Sequence, residues 1–460
     1  MSPVILEPTP EREVVDAAKA ESMIASWKEQ LQSYRSSNPD ASVLCEKIIL
    51  TNKSYTREAA KVIADFLTET DEFNPSIASG IKYAQLDDII ASRMEDEGLE
   101  VLTTISNAFQ DSKLIEVDLS DNAMGSKGVT ACEMVIGGNA VQNSMEALKL
   151  CNNGLSEYTM EEVADLLTKE IENGSCIAEK LRLIHFFNNM SGNAGCESFA
   201  KIMAKCSDKL EDVRMSGTRA RAEGSAHITS SLAALVADDK LGNIQRLDLA
   251  DNSFGDCAED LATTLKGCPK LTYLNLNDCM LADEGIEMIC DALIESKAPV
   301  EYLNLGGNEI TKDGAKNVAK LIRAKNSTLV TFMANENEMT SIGIRTIAKA
   351  FKSSTVQTVA FNFNEVGTIG ADALIAMKGR LSSLEKVEID GNMIPEDAVE
   401  RLTEAFGDIL VELEENDDEE DADDDLDSDD LEEDSEDEAV DAAQDAAVDD
   451  LADALGNVTV

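Results

Sequence analysis

The sequence predicts an α/β repeat architecture from three observations: a recurring L-x-L-x-x-N-x-L string, a spacing of 27 to 29 residues between its later copies, and helical periodicity in the segments between. The clearest copies run Val117-Asp-Leu119-Ser-Asp-Asn122-Ala-Met124, Leu148-Lys-Leu150-Cys-Asn-Asn153-Gly-Leu155 and Leu247-Asp-Leu249-Ala-Asp-Asn252-Ser-Phe254. Three more end on Leu281, Ile310 and Ile394, with Cys279, Asn308 and Asn392 at the Asn position. Weaker copies begin at Ile184, Val213, Phe332 and Val359, and a degenerate first copy begins at Ile48. The position held by Asn runs 122, 153, 189, 218, 252, 279, 308, 337, 364, 392.

This is the pattern of a leucine-rich repeat. A unit of about 20 to 24 residues leaves room only for 3₁₀ or extended structure after the strand, whereas 27 to 29 residues accommodate a full α-helix. Ala59, Val62, Ile63, Phe66 and Leu67 follow Thr56 at helical spacing, and Ala315, Val318, Ala319 and Ile322 follow Thr311 in the same way. Each threonine is placed to cap its helix. Every unit therefore reads as strand, turn, helix. The two aliphatic strand positions point into the core, and the repeating Asn turns inward to hydrogen-bond the backbone of the adjacent turn. Cys279 and Thr218 keep a small hydrogen-bonding side chain there. Stacked units give a horseshoe with a parallel sheet on its concave side and helices outside.

The chain then divides into three parts. Residues 1–44 carry Pro3, Pro8 and Pro10 and then a mixed-charge run with Trp27, and read as a mobile lead followed by a short helical cap. Residues 45–411 form the solenoid. Within it, residues 70–112 break the period and read as an irregular repeat whose long loop ends near Arg93. Residues 412–460 are an acidic tail, nearly all Asp and Glu from Glu412 to Glu438, expected to stay disordered because like charges repel and little apolar surface is available to bury.

Composition narrows the function. The 460 residues hold 90 acidic and 39 basic side chains, a formal net charge of −51, which excludes a protein that reads phosphates with clustered Lys and Arg. Residues 411–460 contribute 25 Asp and Glu with no Lys, Arg or His, so the remainder still stands at −26 and a cationic partner is expected. No apolar run of 18 residues occurs and the N-terminus lacks a basic region before an apolar core, so neither membrane insertion nor a signal peptide is expected. The ten cysteines form no CxxC pair and no cluster with the two histidines, so they read as small, reduced core residues without a metal. No G-x-S-x-G, H-E-x-x-H or G-x-x-x-x-G-K-[ST] string is present, so no cofactor is expected and any part in catalysis is played in another protein's active site. The strand positions between the aliphatic pair, and those just before the Asn, are rich in carboxylates and amides and predict an acidic concave strip.

The ordered repeats and the acidic tail resemble the Ran GTPase-activating proteins over roughly residues 40–440. The strings that carry the likeness are Leu148 to Leu155, His185 to Gly192, Ser216-Gly-Thr218-Arg219 and Ile389 to Ile394. The resemblance implies a GTPase activator that works in trans on the GTP-bound form of the small GTPase Ran without an arginine finger, and so supports nucleocytoplasmic transport. It places the catalytic role on Asn152, which would orient the glutamine of Ran that positions the attacking water. Arg93 in Ala91-Ser92-Arg93-Met94 matches an interface arginine of the family, although Glu95 stands where some members carry Lys. Asp121, Asp251 and Asp278 are candidates for pairing with basic residues of Ran. A Ran-binding protein is a further expected partner, the chain is expected to be a monomer, and nucleic acid is not. The lead is too short for the Trp-Pro-Pro targeting domain of plant members, and the acidic tail stands where animal members carry a folded domain. That layout predicts a protein of the untethered fungal type, cytoplasmic or perinuclear. Two other readings share some features. Ribonuclease inhibitors, pure binding scaffolds, are richer in Cys and Trp and lack the tail. Acidic histone-binding proteins have shorter and fewer repeats.

Overall fold

The computed structural model describes residues 3–41, 43–70, 76–352 and 355–426. It divides into two compact units, one running to Met280 and including Glu295–Val300, the other comprising Leu281–Ile294 and the chain from Glu301 on.

In the first unit the strands are β1 (Val4–Leu6), β2 (Glu13–Val15), β3 (Cys45–Ile49), β4 (Lys53–Tyr55), β5 (Tyr83–Gln85), β6 (Glu116–Asp118), β7 (Ala147–Lys149), β8 (Leu183–Phe187), β9 (Asp212–Ser216), β10 (Arg246–Asp248) and β11 (Tyr273–Asn275). All but β2 and β4 join one parallel sheet in the order β1-β3-β5-β6-β7-β8-β9-β10-β11. The register stacks the aliphatic positions that the repeat predicts. Ile48 pairs with Ala84, Ala84 with Val117, Val117 with Leu148, Leu148 with Ile184, Ile184 with Val213, Val213 with Leu247 and Leu247 with Leu274. All are buried. A one-residue slip would turn this whole column outward, so apolar burial fixes the register. The second unit repeats the arrangement with β12 (Tyr302–Asn304), β13 (Thr331–Met333), β14 (Thr358–Ala360) and β15 (Lys386–Glu388), whose column is Leu303, Phe332, Val359 and Val387.

Helices return the chain between strands. Thr56 and Thr311 cap two of them as expected, Thr56 accepting from the Ala59 N–H at 3.2 Å and Thr311 from the Asp313 N–H at 3.2 Å. In the irregular segment, β5 keeps the common register, Ile90 bridges Ser54, and the next helix, Glu95–Asn107, starts just after Arg93. Residues 71–75 lie outside the described residues.

Both ends differ from expectation. In place of a mobile lead and short cap, residues 4–37 form one more strand-helix turn: β1 pairs with β3, β2 pairs with β4, and the helix Ala17–Ser37 is 21 residues long. Its Trp27 is buried against Phe66 with ring centroids 5.9 Å apart, and its indole N–H donates to Glu7 O at 2.9 Å. Prolines did not free this segment because side chains from later turns anchor its carbonyls. Lys53, fully buried, donates from Nζ to Glu11 O.

At the other end the acidic segment is packed as far as Leu426. Val411 N–H donates to Val387 O at 2.9 Å, Asp417 N–H to Asn392 O at 2.8 Å and Ala422 N–H to Met393 O at 3.1 Å. Asp421 accepts from both the N–H and the hydroxyl of Thr368, and Asp423 from Ile369 N–H at 2.5 Å. These residues start the helix Thr368–Lys378, whose N-cap is Gly367, so carboxylates from the tail supply the cap that Gly lacks. The expected tail boundary at 412 thus moves to Leu426 for the described chain, and the rest of the expected tail, 427–460, lies outside the described residues.

Eight of the ten cysteines are buried. Burial pushes the thiol of Cys132 up to about 12 and that of Cys196 up to about 11. Among the described residues no helix is long and apolar enough to cross a membrane.

Candidate functional site

Each strand leaves the sheet through a turn that sets two consecutive residues in opposite environments. The second is the repeating Asn, which is buried. Asn153 is fully buried: its Oδ1 accepts from Asn122 N–H at 3.0 Å and its Nδ2 donates to Leu119 O at 3.0 Å. Asn189 accepts from Asn153 N–H and Leu155 N–H and donates to Leu150 O. Asn337 and Asn392 repeat the pattern in the second unit. A carboxamide has a donor end and an acceptor end, so one side chain can satisfy backbone groups of two turns. Thr218 donates instead to Asn252 Oδ1 at 2.7 Å, and Cys279 Sγ donates to Leu249 O at 3.4 Å.

The first of the two residues has left-handed backbone. In the first unit these are Asn52, Asp88, Asp121, Asn152, Asn188, Gly217, Asp251 and Asp278, with φ between 50° and 62°. Asn, Asp and Gly tolerate this region best, which is why the row has this composition. From Asp88 to Asp251 the backbone N–H is spent on the next turn: Asp121 on Cys151 O, Asn152 on Phe187 O, Asn188 on Ser216 O and Asp251 on Asn277 O. The backbone is thereby satisfied, and the side chains of Asp121, Asn152, Asn188, Asp251 and Asp278 are exposed along one edge of the sheet.

Of the predicted site residues, the structure joins Asp121 and Asn152 directly. Asn152 Nδ2 donates to Asp121 Oδ1 at 2.8 Å, and Asn188 Nδ2 donates to Asn152 Oδ1 at 2.9 Å. Asp251 and Asp278 occupy the same row on two consecutive turns, and partial burial followed by the neighbouring Asp278 carboxylate pushes the Asp251 carboxyl up, against a pull from Arg219. Among the described residues none of Asp121, Asp251 and Asp278 is in a salt bridge. Arg93 stands apart from the row. Its Nε donates to Ser54 Oγ at 2.9 Å, its Nη1 lies 3.5 Å from Glu97, and its side chain is 15% exposed.

The acids of the strand face, which the sequence predicts as an acidic strip, are largely neutralised there. These carboxylates are matched by bases two strands' width or less away. Lys149 lies 3.0 Å from Glu116 and 3.5 Å from Asp118; burial draws the Lys149 ammonium down, yet these two carboxylates leave it above its ordinary value. His185 contacts Asp212 at 2.7 Å. The buried Asp248 is flanked by Arg214 at 3.2 Å and Arg246 at 3.3 Å. These guanidinium groups stack 3.7 Å over Phe187 and 3.5 Å over Tyr273. The unmatched acid lies instead at the edge, in the left-handed row. The residue that sequence reasoning left without a role is Asn188. Superposing the strings on the repeating Asn would have aligned Asp121, Asn152 and Asn188.

A family model described as Leucine Rich repeat matches residues 110–131, 267–290 and 297–319. The parallel sheet with its returning helices is thus a leucine-rich-repeat fold. The chain is 38% identical over 104 residues to the RAN GTPase-activating protein 1 of Arabidopsis thaliana, covering 23% of this chain and 18% of that one. It is 34% identical over 120 residues to RAN GTPase-activating protein 2 of the same plant, covering 26% and 19%. To the Ran GTPase-activating protein 1 of Saccharomyces cerevisiae it is 27% identical over 262 residues, covering 55% of this chain and 61% of that one. The match therefore spans under a fifth of the plant relatives and about three fifths of the yeast one. Among solved structures, a chain of the yeast Rad7 and Elc1 complex aligns over 85% of this chain and 94% of its own length, at 14% identity and a TM-score of 0.49.

Proposed function

We propose that this leucine-rich-repeat protein stimulates GTP hydrolysis by Ran in its GTP-bound form, with Asn152 orienting the catalytic glutamine of Ran. The observation that carries this reading is the setting of Asn152: an uncharged amide, exposed, held in a left-handed turn and hydrogen-bonded on both sides. The relatives named as Ran GTPase-activating proteins supply the partner. GTP hydrolysis requires positioning and charge stabilisation more than covalent help, and an activator can contribute roughly 10³ to 10⁵ in rate. An amide that cannot rotate freely loses little entropy when it engages a second amide, and this is the contribution asked of Asn152. Asp121, Asp251 and Asp278 would draw a basic partner surface to the same edge. Arg93, clamped by Ser54 and Glu97, would shape the loop Ala91–Met94 at the interface and not reach into the nucleotide site. The activator contributes no nucleotide site of its own, works in the cytoplasm as a monomer, and is compatible with a Ran-binding protein on the same complex.

The test is hydrolysis of GTP by Ran with substoichiometric wild-type chain, Asn152→Ala and Arg93→Ala. The wild type is expected to accelerate hydrolysis, Asn152→Ala to lose about 10² or more of that stimulation, and Arg93→Ala to require more protein for the same rate. Failure of the wild type to accelerate would sink the reading. A nuclear-rim signal from the tagged full chain would contradict the location.

A further inference from the structure

The three exposed residues Asp121, Asn152 and Asn188 form a hydrogen-bonded chain across successive turns, and its chemistry fixes its direction. An ionised carboxylate only accepts hydrogen bonds. Asp121 therefore compels Asn152 to present Nδ2 toward it, which places Oδ1 of Asn152 on the opposite side. That oxygen can be met only by a donor, so Asn188 must present its own Nδ2, as the distances of 2.8 and 2.9 Å record. The next position in the row is Gly217, which has no side chain and adds no further member. The chain thus has a charged end that sets its polarity and an open end where it stops.

We propose that Asp121 and Asn188 are positioning residues that hold the Asn152 carboxamide in one of its two flip states. This rests on the reading of Asn152 given above. Turning the amide over would keep its place and volume, yet exchange donor for acceptor at each edge. After its two internal bonds, Asn152 retains one N–H on the Asp121 side and one lone pair on the Asn188 side. A glutamine amide docked against it must match that order, because a donor facing a donor leaves both unpaired. Asp121 then acts on the partner through Asn152, and not only by pairing with a basic residue.

A charge-conserving exchange reverses the direction while keeping both bonds. In the double variant Asp121→Asn with Asn188→Asp, both hydrogen bonds can form, the net charge is unchanged, and both residues suit the left-handed backbone. The polarity reverses, so Asn152 is turned over, and the charge moves from position 121 to position 188. The experiment is single-turnover GTP hydrolysis on Ran with the full-length chain titrated to saturation, with thermal unfolding as the check on folding. The double variant is expected to unfold within ~2 °C of wild type and, once saturated, to lose at least about tenfold in rate, the displaced charge acting on half-saturation alone. A saturating rate equal to wild type overturns the proposal. Should the double variant not fold, Asp121→Asn alone is read: it frees Asn152 to occupy both states, so a fall in saturating rate of about twofold or more, whatever the half-saturation, supports the proposal. A change confined to half-saturation overturns it in favour of direct pairing with the partner. An inactive wild type would instead remove the underlying reading of Asn152.

Discussion

Asn152 and Asn153 are chemically identical neighbours with opposite duties. Asn153 is buried and its side chain bonds only to backbone of the preceding turn, whereas Asn152 is exposed and its side chain bonds only to side chains of its own row. The difference comes from one left-handed residue. A φ of 51° at position 152 turns its side chain outward and delivers the following residue into the core. Function can therefore vary along the exposed row without disturbing the buried one, and the second unit shows how far. Its exposed row is Gly307, Glu336, Phe363 and Gly391, while its buried row remains Asn308, Asn337, Asn364 and Asn392.

The largest expected effect tests that division directly. Asn153→Ala strands Asn122 N–H in the core and leaves Leu119 O with only its bond from Asn122 Nδ2, so it is expected to cost about 1–3 kcal/mol, read as a lower denaturation midpoint. Asn152→Gly, which suits the left-handed turn, should shift stability by less than about 0.5 kcal/mol while losing stimulation of Ran. Equal midpoints for the two variants would break the comparison.

A smaller effect extends the buried row into acidic sequence. Asn416 Oδ1 accepts from Ile394 N–H at 3.3 Å and its Nδ2 donates to Ile394 O at 2.9 Å, as a repeating Asn would. Asn416→Ala is expected to cost about 1 kcal/mol and to raise amide exchange at residues 392–394 and 417–422. Exchange unchanged there would show that Asn416 is no part of the row.

The smallest effect is pH-dependent. Burial raises the Asp421 carboxyl, but its bonds to Thr368 and to Asp423 N–H outweigh this and leave it below its ordinary value. Its contribution is therefore complete above the ordinary carboxylate range and is lost as pH falls through the lowered native value. Asp423, pushed up by burial, works in the opposite sense. Limited proteolysis of residues 412–426 in wild type and Asp421→Asn, from about pH 7 to pH 3, should show protection that falls with acid only in the wild type.

Much of this was legible in the sequence. The aliphatic pairs and the repeating Asn predicted the sheet, its register and the two threonine caps, because burial forces a fixed period. The ends were not, because they are held by polar atoms at long range. Trp27 reaches Glu7 O, Lys53 reaches Glu11 O, and Asp421 reaches Thr368 across 53 residues. The acidic composition of 412–426 concealed that carboxylates serve there as hydrogen-bond acceptors. At the candidate site, the exposure of Asn152 followed from its place before Asn153. Its partners did not, since Asp121 and Asn188 lie 31 and 36 residues away.

Lys53 stands where a repeating Asn would stand, fully buried, and it alone in that column carries only donors. Turns built on Asn read alike to the turn before and the turn after, so a whole unit duplicated or lost between Asn308 and Asn337 would leave every neighbour served. The turn at Lys53 is not interchangeable in this way, for its ammonium needs a carbonyl ahead of it and offers no acceptor in return. Changes in repeat number can thus accumulate between turns built on Asn, while the turn at Lys53 stays tied to Glu11 and Glu13.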